Sequence, residues 1–389
     1  MITGRAAEHA PTDVEALADL LSRADRDRIP VSPRGGGTKW RHDPPGTPPA
    51  STLSTTQLTP TIDHCAGDLT ATLSAGLTLG AVNAALARAG QWLPLDPPWA
   101  DRATIGGIIA ANDSGPRRHK HGAPRDLIIG VEFVRADGAI AKAGGKVVKN
   151  VAGYDLARML CGSLGSLAVV TSATFKLSPL AAVSRTVVAT ARHAAACADL
   201  GMAIAAAPPL SPTALEIESP PHRVLVRFET TERAADAQAD ATATLCRAAG
   251  AGAAIVDGSE ERDLWAAYES GLWQDRADSM IVKVSVLPSD VRDLLEQSPA
   301  ASAAGRAALG VLYLRWQGSA SAGSAWLDDL RLRIGQRGGT AVVAAASPAF
   351  GSRIDRWGQL STSRSLMAAV KARFDPHNIL NPGRGPGGI

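Results

Sequence analysis

The chain has 389 residues, enough for two or three domains and a core that needs no disulfide or metal to hold it. Its 40 Lys and Arg against 37 Asp and Glu give a formal charge of +3, and no window gathers the basic residues needed to track a phosphate backbone, so nucleic acid is excluded as the expected partner. Hydrophobic residues at 45% and charged residues at 20% exclude a collagen-like or disordered chain, and no run of about 18 uncharged apolar residues offers a transmembrane segment.

The first predicted element is a helix with Thr12 as N-cap and Glu15 three residues on, showing Val14, Leu17, Leu20, Leu21 and Ala24 along one face. Residues 28–32 read as a short strand that runs into Pro33-Arg34-Gly35-Gly36-Gly37-Thr38. Residues 42–60, with Pro44, Pro45, Pro48, Pro49 and Pro60, read as a surface loop. Residues 69–75 alternate with period two, and Thr78 caps a helix over 79–89 that Gly90 stops. An Ile, Gly and Ala run over 104–111 follows Asp96-Pro97-Pro98 and leads into a loop at 112–116. Residues 128–135 and 139–143 flank Asp137-Gly138, a hairpin turn, and 168–177 form a β-branched strand. After Ser178-Pro179 the texture changes to Ala-rich helices alternating with strands at 223–228 and 280–286, which predicts a second domain from about residue 180. A helix over 363–373 precedes a turn-rich tail at 374–384.

Three consecutive glycines let successive backbone N–H groups face one way, because no Cβ forbids positive φ, and such a concave nest binds phosphate oxygens without a lysine. A second run, Thr104-Ile105-Gly106-Gly107 with Ala111-Asn112-Asp113-Ser114-Gly115, brings backbone close to a ligand a second time, beside apolar side chains suited to a flat ring. A literal G-x-G-x-x-G at Gly383, Gly385 and Gly388 lacks the strand and helix of a dinucleotide fingerprint. The missing Walker A, H-E-x-x-H and G-x-S-x-G patterns remove support for P-loop, zinc-protease and serine-hydrolase chemistry. His119 and His121 read as surface residues of a basic loop, and Cys65, Cys161, Cys197 and Cys246 as reduced, mostly buried thiols, so no metal site is expected.

In order and spacing, Pro33 to Thr38, Thr104 to Gly107, Asn112 to Gly115, and Gly162-Ser163-Leu164-Gly165 through Val169-Val170-Thr171 resemble the FAD-contact segments of the vanillyl-alcohol-oxidase type, or PCMH-type, flavoproteins. Within them, the block Val148 to Leu156 and the tail Asn381-Pro382-Gly383-Arg384 resemble the glycolate oxidase group, and Gly115-Pro116-Arg117-Arg118 its smaller FAD-binding subunit. The resemblance implies an α+β fold: an FAD-binding domain of two α/β subdomains over 1–180, a smaller α+β cap over 181–345, and a C-terminal segment, 346–389, that packs back on the first domain. It implies FAD contacts from Pro33, Arg34, Gly35, Gly36, Gly37, Thr38, Pro97, Thr104, Gly106, Gly107, Ala111, Asn112, Ser114, Gly115, Gly165 and Val169. The Arg34–Thr38 nest and the Thr104–Gly107 loop would take the pyrophosphate, and Gly165 and Val169 the adenosine half. Covalent members place a histidine after the glycine loop; here Thr38, Lys39 and Trp40 follow, so non-covalent FAD is expected.

The activity so implied is oxidation of a small 2-hydroxy acid to a 2-oxo acid by a multi-subunit glycolate oxidase or dehydrogenase. This chain would be its FAD-binding subunit, with a larger catalytic flavoprotein and an iron–sulfur subunit as partners, in the cytoplasm and at the inner membrane through those partners. The H-x-G-D-G-N-x-H motif of the catalytic partner's cap is missing, and residues 180–345 hold only His193 and His222. A base and a carboxylate clamp are thus not evident. Arg117 and Arg118, with Arg125, are candidates for the clamp and His377 for the proton acceptor. A free-standing FAD-dependent, D-lactate-like 2-hydroxy-acid dehydrogenase and a non-redox FAD-bound scaffold subunit stand as alternatives. UDP-N-acetylmuramate dehydrogenases share the flavin fold, but none of their downstream motifs is present.

Overall fold

The helix Val14–Asp27 begins one residue later than expected. Its N-cap is Asp13, whose carboxylate accepts the Ala16 N–H at 2.7 Å; a full negative charge suits the positive end of a helix better than the Thr12 hydroxyl does. Leu17 and Leu21 on its inner face are fully buried, about 2 kcal/mol of apolar burial each, and belong to one core with Val31 and Leu53 of the first sheet. In the computed structural model, which describes residues 7–39, 51–146, 153–360 and 363–389, that sheet is parallel, with Ser51–Ser54 between Ala7–His9 and Val31–Arg34. The central strand lies inside the span 42–60 expected to be loop: all four of its residues are buried, and pairing on both edges outweighs the flanking prolines. Pro44, Pro45, Pro48, Pro49 and Trp40 lie outside the described residues, as do Val148 to Ala152.

The second sheet is antiparallel, in the order Ile62–Cys65, Thr70–Ser74, Val169–Lys176, Ile128–Val134 and Ile140–Gly144. The expected Asp137-Gly138 turn joins the last two, with Gly138 at φ 85°. Leu79–Leu86, capped by Thr78, shares its apolar core with Ile105–Ala111, capped by Thr104. Gln91–Trp92 pairs with Ser178–Pro179.

Between Val183 and Ala346 the chain forms an eight-stranded antiparallel sheet, ordered Gly252–Val256, Val183–Thr190, Arg223–Thr230, Ala214–Ser219, Ser302–Arg306, Val311–Gln317, Ser279–Ser285 and Thr340–Ala346. Its apolar face, with Val187, Ile217, Leu314 and Val282, packs in one core with residues of Ala194–Ala206, Glu232–Ala248, Val291–Glu296 and Ala320–Gly335. The opposite face carries a row of polar side chains beside a small apolar cluster in which Ala214 and Leu225 pack with Trp265 and Tyr268 of Gly258–Trp273. Side chains two apart on a strand share a face, so Lys283 lies beside its partner Tyr313, with Arg306, Glu216 and Arg227 along the same side. This polar face meets the first domain: the Arg306 guanidinium donates to the Ser114 carbonyl at 3.1 Å. The last helix, Arg364–Phe374, and the tail return to the first sheet, where the Val31 N–H donates to Ile379 at 2.7 Å and the Asn381 N–H to Val31 at 2.9 Å. The architecture is α+β, as the sequence implied.

Candidate functional site

The strand Val31–Arg34 ends in glycines that are required for two different reasons. Gly37, at φ 69°, occupies the left-handed region. Gly35 and Gly36 permit close contact instead: a Cβ on Gly35 would sit 2.0 Å from the Thr104 hydroxyl oxygen, and one on Gly36 1.8 Å from the Arg102 carbonyl oxygen. The glycine loop is thereby pressed against the start of Ile105–Ala111, and the two glycine runs, 70 residues apart in the chain, become one site. The N–H groups of Gly35, Gly36, Gly37 and Thr38 have no hydrogen-bond partner among the described residues. In the second run the N–H groups of three residues are spent: Ile105 donates to Leu77 at 2.9 Å, Gly106 to Ala75 at 2.9 Å and Gly107 to the Thr104 hydroxyl at 3.3 Å. The first run thus offers free N–H donors and the second packs against it, where the sequence reading expected both loops to take the pyrophosphate.

The cleft they form is narrow, about 80 Å³, and opens to solvent. The predicted residues Pro33 to Thr38, Thr104, Gly106, Gly107, Ala111, Gly165 and Val169 all line it. Its far wall is held by unusual backbone: Gly162 donates to Ile109 at 2.9 Å, Leu164 to Ala110 at 2.8 Å, and Leu164 itself adopts φ 56°. The Asn381 amide donates to Leu164 at 2.7 Å, so the tail braces this wall. Lys39 and Arg384 also line the cleft and were not singled out; only their places next to the loop and at the end of the tail motif hinted at it. Unpartnered N–H donors beside apolar Ala110, Ala111, Leu164, Ala168 and Val170 fit a molecule with phosphate and a flat ring.

Four predicted contacts lie elsewhere. Asn112 ends the helix at φ 45°, its N–H on Ile109 and its side chain accepting from Arg125 N–H at 3.3 Å. Ser114 and Gly115 line a second chamber of about 300 Å³ beneath the eight-stranded sheet, and Pro97 is buried and lines neither space. In that chamber Arg117 is not a free clamp, because Glu229 of the sheet accepts from its Nε at 2.8 Å and its Nη2 at 2.6 Å, while Trp92 lies 5.0 Å from its guanidinium carbon. Burial opposes charge on both partners; their mutual bond overcomes it, holding the Glu229 carboxyl below and the Arg117 guanidinium above their ordinary ranges. Arg306 is likewise committed to Glu216 at 3.0 Å. Burial pushes Asp96 up to about 6 against the pull of Arg117, whose N–H it accepts at 2.9 Å.

Among the described residues the Arg118 side chain donates to the Ser114 hydroxyl at 3.5 Å, and burial and then Arg306 hold its pKa down against the pull of Asp126. His119 and His121 are half-buried on the short helix Arg118–His121 rather than on the surface, because that helix tucks under the sheet. Burial lowers both, His121 to about 4, and the His119 Nδ1 is buried without a partner among the described residues. Among those residues no three His, Cys, Asp or Glu converge as metal ligands. His377 corrects another expectation: the tail does fold back, but this ring turns toward the first helix and meets Asp25 at 3.0 Å, and it does not line the cleft.

Residues 6–144 match the family model for the FAD binding domain, and 360–384 the model for the C-terminal domain of FAD linked oxidases. The chain is 39% identical over 183 residues to a D-lactate dehydrogenase of Archaeoglobus fulgidus, covering 46% of this chain and 41% of that one. It is 36% identical to the glycolate oxidase subunit GlcE of Escherichia coli K12, covering 42% and 47%. With the glycolate oxidase subunit GlcD of Bacillus subtilis it is 26% identical, covering 96% and 87%. It spans less than half the length of the first two. An alkyldihydroxyacetonephosphate synthase structure shares the fold, with a TM-score of 0.72 at 16% identity over 96% of this chain and 76% of that one. The glycine loop and the start of Ile105–Ala111 lie inside the segment matched by the FAD binding domain model, and the chain is similar to the PCMH-type FAD flavoproteins, the FAD-linked oxidases.

Proposed function

We propose that the chain is the FAD-binding subunit of a multi-subunit glycolate oxidase or dehydrogenase that oxidises 2-hydroxy acids to 2-oxo acids. Its partners would be a larger catalytic flavoprotein and an iron–sulfur subunit. The observation that carries this reading is the union of the two glycine runs into one cleft, in a chain that aligns over 96% of its length with a glycolate oxidase subunit. Bound FAD would supply the hydride acceptor. The N–H groups of Gly35 to Thr38 would hold its phosphate oxygens, and Ala110, Ala111, Leu164 and Val170 would exclude water from its ring systems. Attachment would be non-covalent, since Thr38 and Lys39 follow the loop and Lys39 is engaged with Asp113. The subunit would work in the cytoplasm and reach the inner membrane through its partners; no helix among the described residues is long and apolar enough to cross a membrane.

One observation favours a second reading, a free-standing 2-hydroxy-acid dehydrogenase. His119 is a neutral imidazole with an unpartnered ring nitrogen, the kind of group that takes up a hydroxyl proton. Anaerobic mixing decides between them. Glycolate or D-lactate should bleach the flavin of the isolated chain slowly or not at all, and turnover should appear with the larger flavoprotein and iron–sulfur subunits present. Rapid, saturable bleaching by the chain alone selects the dehydrogenase, and an inactive flavin in the full assembly selects the scaffold.

A further inference from the structure

We propose that the open edge of the eight-stranded sheet, the strand Gly252–Val256, docks a second copy of this chain in antiparallel pairing, making one continuous sheet across a two-fold axis. The strand is paired on one side only, with Val183–Thr190. The Ala191 N–H donates to His222, so the odd-numbered residues at this end of the neighbouring strand bond toward Arg223–Thr230 and the even-numbered ones toward Gly252–Val256. Gly252, Ala254 and Val256, which face those even-numbered residues, are thereby satisfied, and the N–H and carbonyl groups of Ala253 and Ile255 point outward. The Ala253 carbonyl has one long contact there, 3.4 Å from Arg247 Nη2, which leaves a lone pair for a strand. Other edges are defended. In the five-stranded sheet, Ile62–Cys65 carries Asp63, paired with Lys146, and Ile140–Gly144 carries Lys142, 2.7 Å from Glu132. At the far edge of the eight-stranded sheet the Val343 N–H donates to the Arg356 carbonyl at 2.9 Å, and the Ala341 carbonyl accepts from Arg331 at 3.2 Å. Gly252–Val256 has no charge, no proline and no break in register, and Ile255, beside Val187 of the core, is 40% exposed.

The occupant is a second copy because this edge complements itself. Setting Ala253 opposite the second copy's Ile255 brings every outward group of both strands into register, and each such pair exchanges both its backbone hydrogen bonds. It also lays a small side chain beside a large one on the core side of the sheet. The same register sets Gly250 opposite Gly258. Arg192, whose Nη2 lies 3.3 Å from where a Gly250 Cβ would stand, then meets the start of Gly258–Trp273 in the second copy, where Asp257 and Glu260 are exposed. Arg192 and Glu260 have no ion-pair partner among the described residues. A two-fold axis makes this match of cation and carboxylates twice, once at each end of the paired strands. The inference is independent of the proposed reaction.

Sedimentation of the FAD-loaded full-length chain should show a dimer at micromolar concentration. Ile255→Lys, which puts a charge on the open edge, should raise the dimer dissociation constant at least tenfold and leave flavin content and circular dichroism unchanged. Arg192→Glu should weaken the dimer as well, and Arg192→Glu with Glu260→Arg should recover it, a rescue that needs both residues to come from this chain. The two Ala254 residues would meet on the axis as a non-hydrogen-bonded pair with Cα atoms about 4.5 Å apart, within disulfide reach. With the exposed Cys65 changed to Ser, Ala254→Cys should therefore cross-link two chains on mild oxidation, and Val256→Cys should not. The cross-link decides should Ile255→Lys fail to fold. A wild type that stays monomeric, a dimer untouched by Ile255→Lys, or an Ala254→Cys chain that does not cross-link overturns the proposal. Amide protection at Ala253 and Ile255 that appears only when other subunits are added assigns the edge to one of them, and overturns the second copy too.

Discussion

Lys371 is the strongest single test of how the C-terminal tail builds the cleft. It is 5% exposed, and its ammonium donates to Ser166 carbonyl at 2.8 Å, Leu380 carbonyl at 2.8 Å and Asp375 carboxylate at 2.6 Å. Asp375, 1% exposed, also accepts the N–H groups of Ile379 at 2.9 Å and Leu380 at 2.7 Å. All three ammonium protons are used, and one bond reaches the segment that walls the cleft. Lys371→Met keeps the length of the side chain but leaves Asp375 a buried carboxylate without its cation, and two carbonyls without a donor. Removing one member of a buried pair costs about 3–5 kcal/mol. At about 2–4 °C per kcal/mol for a unit of 150–250 residues, the transition should fall by on the order of 10 °C. FAD should be lost in parallel, because Asn381 braces Leu164 from the same tail. Calorimetric melting with flavin quantitation measures both, and Lys371→Met with Asp375→Leu should recover part of the loss. A Lys371→Met protein that melts within a degree of wild type and holds its flavin would refute the latch.

Gly36→Ala should abolish flavin binding and lower stability, since its Cβ meets the Arg102 carbonyl, while Gly383→Ala, with nothing within 4 Å but φ 78°, should cost about 1–2 kcal/mol and keep the flavin; occupancy after gel filtration checks both. Because burial pushes Asp96 up to about 6, the folded chain retains a proton that the unfolded chain, near 4, has lost, so its contribution weakens as pH rises from about 4 to 6. The melting temperature of Asp96→Asn minus that of wild type should therefore rise by several degrees between pH 4.5 and pH 7.5, and a flat difference would contradict it. Arg117→Met should destabilise by about 3–5 kcal/mol by stranding Glu229, and adding Glu229→Gln should return part of that in a denaturation cycle.

Local chemistry made much of the fold readable: Thr78 and Thr104 cap their helices, Asp137-Gly138 turns its hairpin, and period-two alternation marks Thr70–Ser74. Ser51–Ser54 was hidden because its burial comes from two parallel neighbours distant in sequence, not from its own pattern. The glycine runs were legible as ligand-approaching backbone, but not which run keeps its N–H groups unspent, since that depends on Leu77 and Ala75 as acceptors. Arg117 and Arg118 look alike on paper, and only Glu229, reaching across from the sheet to Arg117, tells them apart.

The central claim is that FAD sits non-covalently in the cleft between Gly35–Thr38 and the helix Ile105–Ala111. Acid precipitation of the purified chain, followed by flavin quantitation in supernatant and pellet, tests it directly. The account predicts FAD in the supernatant at about one per chain, lost in Gly36→Ala. Flavin that stays with the pellet, or full occupancy in a folded Gly36→Ala protein, would contradict it.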